Sequence, residues 1–259
     1  MSDTQGRFVW YELMTTDTQA AKSFYGSVVG WGARDASVPG VAYTMFQVGE
    51  TAIGGLMDLP EPARQMGAPP SWLGYIGVDD VDATVGRVTG LGGAVRVPPT
   101  DIPEVGRFAV ITDPQGAALA LFKPATACPD QSPEPTQGTP GHIGWHELLA
   151  VDWEKALEFY ATLFGWTKAD AMDMGDMGIY QLFATGGQAV GGMFNKPPTV
   201  PRPFWVFYFN VDSIDTAVER VTAGGGTILM GPMEVPGGGW IVQCSDPQGA
   251  MFALFGRRP

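Results

Sequence analysis

Apolar and polar positions along the chain fall into short runs whose period switches between two and about 3.6 residues. Phe8 to Met14 is rich in aromatics, ends in polar Thr15-Thr16, and predicts a strand. Asp17 follows in position to cap a helix, and Ala21, Phe24, Tyr25 and Val28 then recur at helical spacing until Gly30, a left-handed stop. Val41 to Val48 and Thr51 to Met57 read as strands, and Leu59 to Pro70 reads as a proline-containing loop. The pattern then restarts with strand Trp72 to Val78 and helix Val81 to Val88, with Val81, Val85 and Val88 on one face. The turn Gly90-Leu91-Gly92-Gly93 follows, then strands near Ala94 to Val97, Phe108 to Thr112 and Ala118 to Phe122.

This order of elements occurs twice. Trp10, Glu12 and Asp17 return as Trp145, Glu147 and Asp152, an offset of 145 − 10 = 135 residues. Phe24-Tyr25 returns as Phe159-Tyr160, Gly30-Trp31 as Gly165-Trp166, Gly54-Gly55 as Gly191-Gly192, and Val78-Asp79 as Val211-Asp212. Asp113-Pro114-Gln115-Gly116-Ala117 returns as Asp246-Pro247-Gln248-Gly249-Ala250. An internal repeat of this kind decides the architecture before any local motif does. It predicts an α+β protein of two similar domains, 6–123 and 141–257. Each is built of two βαβββ units forming a curved eight-stranded mixed sheet with outer helices, and the second copy has helices near Asp152 to Phe164 and Ile214 to Val221. The stretch 124–140, with Pro124, Pro129, Pro133, Pro135 and Pro140 among small and polar residues, reads as a linker.

Composition narrows the function. A net charge of −12 with only 15 Lys and Arg argues against nucleic-acid binding. No apolar run approaches membrane-span length, and Met1 to Gln5 carries neither a basic flank nor an apolar core, so no signal peptide or membrane partner is expected. The two cysteines, Cys128 and Cys244, do not form a disulfide framework, and a cytoplasmic monomer or homodimer is the expectation.

The strand leading to Asp17, the helix carrying Phe24-Tyr25 before Gly30-Trp31, the Val78-Asp79-Asp80-Val81-Asp82-Ala83 segment and the Asp113-Pro114-Gln115-Gly116 turn, each present twice, together resemble the vicinal oxygen chelate superfamily. That superfamily includes glyoxalase I, bleomycin-resistance proteins and extradiol dioxygenases. The resemblance implies a cup in each sheet where metal-using members place His or Glu ligands from four strands. Those positions hold Trp10, Gly55, Leu73 and Ala120 in the first copy, and Trp145, Gly192, Val206 and Ala253 in the second. None of these can coordinate a divalent ion, so no metal and no cofactor is expected.

Strand alternation places Trp10, Glu12 and Met14 on one face, and Trp145, Glu147 and Leu149 on the matching face. His146 should point the other way, toward the helices. If the tryptophan face is the cup, Glu12 and Glu147 become the candidate general bases or cation anchors, with a raised pKa expected from aromatic shielding. Tyr43, Tyr75, Tyr180, Tyr208, Asn210 and Trp240 become candidate ligand contacts. The glycines and alanines at the old ligand positions should leave room. The plainer alternatives are a tryptophan that fills the cup and a glutamate that braces a neighbour. Gly237-Gly238-Gly239 before Trp240 reads as a hairpin tip or a lid, and Met172, Met174 and Met177 among aspartates read as a loop.

Three functions stay open. The chain could bind or sequester a small organic molecule without a metal. It could be a lyase, isomerase or hydroxylase acting on a small carbonyl or aromatic compound through a glutamate. It could be an interaction protein with filled cups.

Overall fold

The computed structural model describes residues 4–37, 40–125 and 138–258. Cys128 and most of the proline-rich linker lie outside the described residues. The first copy runs β1 (Phe8–Thr15), α1 (Thr18–Val28), β2 (Gly32–Asp35), β3 (Thr44–Val48), β4 (Thr51–Asp58), α2 (Glu61–Gln65), β5 (Ser71–Gly77), α3 (Val81–Gly90), β6 (Ala94–Ile102), β7 (Gly106–Thr112) and β8 (Ala118–Pro124). The second runs β9 (Ile143–Ala150), α4 (Trp153–Phe164), β10 (Thr167–Asp173), β11 (Ile179–Thr185), β12 (Gln188–Asn195), β13 (Phe204–Ser213), α5 (Ile214–Ala223), β14 (Thr227–Val235), β15 (Gly239–Ser245) and β16 (Met251–Arg257). The two eight-stranded mixed sheets have the same order, β2-β3-β4-β1-β5-β8-β7-β6 and β10-β11-β12-β9-β13-β16-β15-β14. This is the doubled βαβββ architecture that the repeat predicts.

The helices start where their caps dictate. Asp17, Asp80 and Asp152 hold extended backbone and accept from the amides of Ala20, Ala83 and Lys155, while Ser213 does the same for Thr216. Three local expectations change. The proline loop contains α2, and Gly32–Asp35 adds an exposed edge strand that shows no alternation. On α3 the buried face is Val81, Thr84 and Val88, with Val85 turned partly to solvent. The methionine-rich stretch contributes Met172 to strand β10 before a short 3-10 turn at Gly175–Met177.

The chain packs into two compact units, with boundaries at Val9/Trp10, Trp72/Leu73, Gly144/Trp145 and Trp205/Val206 among the described residues. Unit one joins the second βαβββ motif of the first copy to the first motif of the second copy. Unit two joins the first motif of the first copy to the last motif of the second. Each unit therefore draws on both copies.

In unit one, the Tyr160 hydroxyl on α4 donates to Asp113 Oδ2 (3.1 Å) and accepts from Trp205 Nε1 (3.3 Å). Asp113 Oδ1 meanwhile accepts the amides of Gln115, Gly116 and Ala117. In unit two the same arrangement links Tyr25 to Asp246 Oδ2 (3.1 Å) and to Trp72 Nε1 (2.9 Å). Trp166 donates to Gly6 O and Trp31 to Gly141 O, both at 2.6 Å. The Asp-Pro-Gln-Gly segments are thus turns, as expected, but their aspartates also receive a tyrosine from the other copy. Both carboxyls are buried, and that burial is the main cause raising their pKa above the ordinary value. Around these links pack Trp166, Phe183, Trp205 and Phe8 in unit one, and Trp31, Phe46, Trp72, Phe209 and Phe252 in unit two.

Candidate functional site

In β1, alternation brings Trp10 and Glu12 to one face, and Tyr43, just before β3, reaches over to join them. Trp10 Nε1 donates to the Tyr43 hydroxyl (3.0 Å), which donates to Glu12 Oε2 (3.0 Å). The second copy repeats this with Trp145 Nε1 to Tyr180 (2.8 Å) and Tyr180 to Glu147 Oε2 (3.0 Å). The direction of each relay follows from chemistry. An indole nitrogen can only donate, so the phenol oxygen accepts and its own proton goes to the carboxylate. Burial, and then the charge of Glu12, push the Tyr43 phenol above its ordinary pKa, so it stays a neutral donor. Glu12 and Glu147 are 8 % and 6 % exposed, buried enough that a hydrogen-bonding partner is required.

The glycines opposite these glutamates explain the tyrosines. Gly55 pairs with Glu12 in the β1–β4 register, and Gly192 with Glu147 in β9–β12. A Cβ on Gly55 would lie 1.8 Å from the Tyr43 hydroxyl, and one on Gly192 would lie 2.2 Å from Tyr180 Cε1. The expectation of empty space there is corrected: each phenol ring lies over the glycine and takes the place of a side chain.

The remaining candidates are placed as follows. Tyr75 is buried, lies opposite Ala120, and meets Phe122 edge-on with ring centroids 6.3 Å apart. Tyr208 lies opposite Ala253 and accepts from Gln243 Nε2 (3.2 Å), a polar contact that sequence reasoning missed. Asn210 is committed to the approach to β9. Its side-chain amide donates to Thr139 O (3.1 Å), its backbone NH to His142 O (2.9 Å), and its carbonyl accepts from Gly141 N (2.8 Å). Trp240 follows the hairpin turn between β14 and β15 and lies under the Arg258 guanidinium at 3.8 Å, itself held by Asp215. Arg107, at the equivalent strand position, pairs with Asp82 and Asp101. His146 does face away from the glutamates: it stacks on Phe8 at 3.8 Å, and its Nδ1 lies 2.7 Å from Val190 O. Burial pulls its pKa down to about 4.

The positions where the resemblance would place metal ligands hold no side chain that binds a divalent ion. They offer two indoles, two glycines, two alanines, a leucine and a valine, and at both glycines a tyrosine ring fills the space a ligating side chain would need. Among the described residues no three His, Cys, Asp or Glu are grouped to hold an ion elsewhere. No helix of the described residues is long and apolar enough to cross a membrane.

Comparison with known proteins agrees with this architecture. The family described as Glyoxalase/Bleomycin resistance protein/Dioxygenase superfamily matches residues 7–121 and again 140–254. "Putative glyoxylase CFP32" of Mycobacterium tuberculosis is 38% identical over 98% of this chain and 96% of its own length. "Anthracycline biosynthesis protein DnrV" of Streptomyces peucetius is 32% identical over 96% and 92%. Among solved structures, the 2,3-dioxygenase LapB from Pseudomonas sp. KL28 superposes with a TM-score of 0.65 at 12% identity, over 98% of this chain and 92% of that one. The Mn(II)-bound glyoxalase from Novosphingobium aromaticivorans gives 0.62 at 18%, over 99% and 83%. At these identities the structures speak for the fold alone.

Proposed function

The chain belongs to the glyoxalase/bleomycin resistance protein/dioxygenase superfamily, and we propose that it binds a small organic molecule on the Trp–Tyr–Glu face of each sheet without the family's metal. The observation that carries this reading is the hydrogen-bonded relay itself, present in both copies with the same residues, order and spacing. It concentrates a carboxylate and two aromatic rings on the face that the resemblance makes the cup, and the positions that the resemblance gives to metal ligands carry no donors. Glu12 and Glu147 are the anchors in this reading, Trp10, Tyr43, Trp145 and Tyr180 the surrounding wall, and Tyr75 and Tyr208 further contacts. The relative named for anthracycline biosynthesis suits an aromatic guest. The setting proposed is a reducing cytoplasm, where buried Cys244, its thiol pushed up to about 12, stays unreactive.

A thermal-shift screen of aromatic small molecules, with elemental analysis of the purified protein, tests the proposal. Stabilisation by a compound, lost in a Trp10→Ala/Trp145→Ala variant, is the expected result. A stoichiometric, dialysis-resistant metal would overturn it.

The relatives' names favour a second reading, an enzyme acting on a small carbonyl or aromatic compound as a lyase, isomerase or hydroxylase. Glu12 or Glu147 would be the base, and the neutral tyrosine would orient it. Turnover abolished by Glu→Gln with binding retained would select that reading.

A further inference from the structure

Three thioethers that take no part in the relays form a cluster of their own. Met172, Met174 and Met177 fall within six residues, in a chain that holds 12 methionines among 259 residues. The matching stretch of the first copy, between Trp31 and Tyr43, has none, so the cluster is not a by-product of duplication.

Backbone geometry gathers the three side chains. Met172 stands opposite Tyr180 in the β10–β11 register, and Met174, two residues on, continues the same face roughly 7 Å further along. The chain then closes a tight turn. The Met174 amide donates to Gly178 O (2.9 Å), the Gly178 amide to Gly175 O (2.9 Å), and the Met177 amide to Met174 O (3.4 Å). Asp173 Oδ1 holds the Gly175 amide (2.9 Å). Residues three apart in a 3-10 turn lie one above the other, which brings Met177 over Met174. A methionine side chain has three rotatable bonds, enough to swing its sulfur across these spacings. Met172 and Met174 are half-buried and Met177 is 57 % exposed, so the group opens to solvent.

Sulfur decides the ligand. A thioether is neutral and soft, and it has no proton to lose. Magnesium and calcium take oxygen donors, and zinc takes thiolate, imidazole or carboxylate, whereas thioethers select Cu(I). Asp170, Asp173 and Asp176, all exposed, surround the turn with negative charge that draws a cation in. We infer that the β10–β11 turn binds one soft monovalent metal ion, Cu(I), through the Sδ atoms of Met172, Met174 and Met177. The ion uses none of the positions that the resemblance gives to metal ligands. In air, dioxygen takes an electron from the copper, and the resulting Cu(II), which prefers nitrogen and oxygen donors, leaves the thioethers. Aerobic dialysis therefore strips this site, which separates it from the dialysis-resistant metal that would overturn the binding role.

The test is an anaerobic titration of Cu(I) into the full chain, with bicinchoninate as the competing chromogenic chelator. The wild type is expected to take one equivalent more than a Met172→Leu/Met174→Leu/Met177→Leu variant. Leucine keeps the volume and apolar character of methionine. The variant retains both cysteines and both histidines, so any copper it still takes belongs to those groups. The extra equivalent should persist at about pH 5, because thiols and imidazoles must lose a proton to bind and thioethers need not. Ag(I) added to wild-type protein carrying 13C-methyl methionine reads the site without relying on a variant to bind. Three of the 12 methyl signals should move together at one equivalent, the same three that are missing from the triple variant. Equal copper uptake by the two proteins overturns the site. So does an extra equivalent that vanishes at about pH 5, displacement of Cu(I) by excess Ca2+, or Ag(I) shifts confined to other methionines.

Discussion

The two compact units carry the same Asp-Pro-Gln-Gly turn, and its glutamine behaves differently in each. In unit one, Gln115 Oε1 accepts from the amides of Val151 (2.7 Å) and Asp152 (2.8 Å), and Nε2 donates to Asp152 O (2.8 Å). One side chain thus latches the turn of the first copy to the start of α4. In unit two, Gln248 Oε1 is buried with no hydrogen-bond partner among the described residues. The sequences differ at the end of the first strand of each copy. Thr15 ends β1, and its hydroxyl sits 3.5 Å from the Asp17 amide that Gln248 would otherwise serve; the equivalent residue of β9 is Ala150, which has no oxygen to offer. Duplicating a turn copies its backbone geometry. What its side chains accomplish differs between the copies.

The most severe test of how alike the units are removes Trp166 or Trp31. Each is nearly fully buried and bonded to a backbone carbonyl of the other copy. Truncation to alanine should cost about 3–5 kcal/mol in either unit, read from urea unfolding. A large inequality would show that one unit dominates stability.

Acid should separate the units next. His146 of unit one has Tyr11 as its counterpart in unit two, so only unit one carries a buried imidazole at this place. Its pKa is lower folded than unfolded, about 4 against an ordinary value near 6.5. Its contribution is therefore complete above about pH 6.5 and is lost as pH falls through about 4, a total of roughly 3 kcal/mol. His146→Tyr should flatten the stability profile across that window. An unchanged profile would contradict the assignment. Asp113 and Asp246 act in the opposite sense. Their raised pKa favours the protonated folded form, so their contribution is present at low pH and is lost as pH rises through the folded value.

Gln115→Ala should cost roughly 1–3 kcal/mol, because it leaves two amides and a carbonyl near the start of α4 without that partner. Gln248→Ala should be close to neutral, since it deletes a buried oxygen that has no bond. Matched denaturation curves check this, and equal losses would dissolve the contrast between the units. The smallest effect sharpens the explanation. Thr15→Ala frees the Asp17 amide, so Gln248 should become costly to remove, with a coupling of about 0.5–1 kcal/mol in a double-mutant cycle.

Much of this architecture was legible in the sequence because it rests on local rules. Asp17, Asp80 and Asp152 announce helix starts, and the 135-residue echo of Trp10, Glu12 and Asp17 announces the doubling. Gly32–Asp35 was missed because all four residues are exposed on an edge and leave no alternation, and α2 because Pro60 and Pro62 make its turn look like loop. At the site, parity alone brought Trp10 to the side of Glu12. Tyr43 and Tyr180 were foreseen as wall residues but not as the central members of a relay. The available signal was Gly55 and Gly192, glycines in mid-strand opposite a glutamate, which mark a close approach as readily as an empty space. The bonds from Tyr160 to Asp113 and from Tyr25 to Asp246 join residues 47 and 221 positions apart, a separation that no periodicity encodes.

That exchange of partners bears on what holds the molecule together. A single peptide-bond cleavage between the copies would sever the chain without dividing either core, because each core is furnished half by one fragment and half by the other. The nicked protein would behave as a heterodimer of its own halves, and the covalent connection would serve chiefly to keep two complementary pieces at high effective concentration.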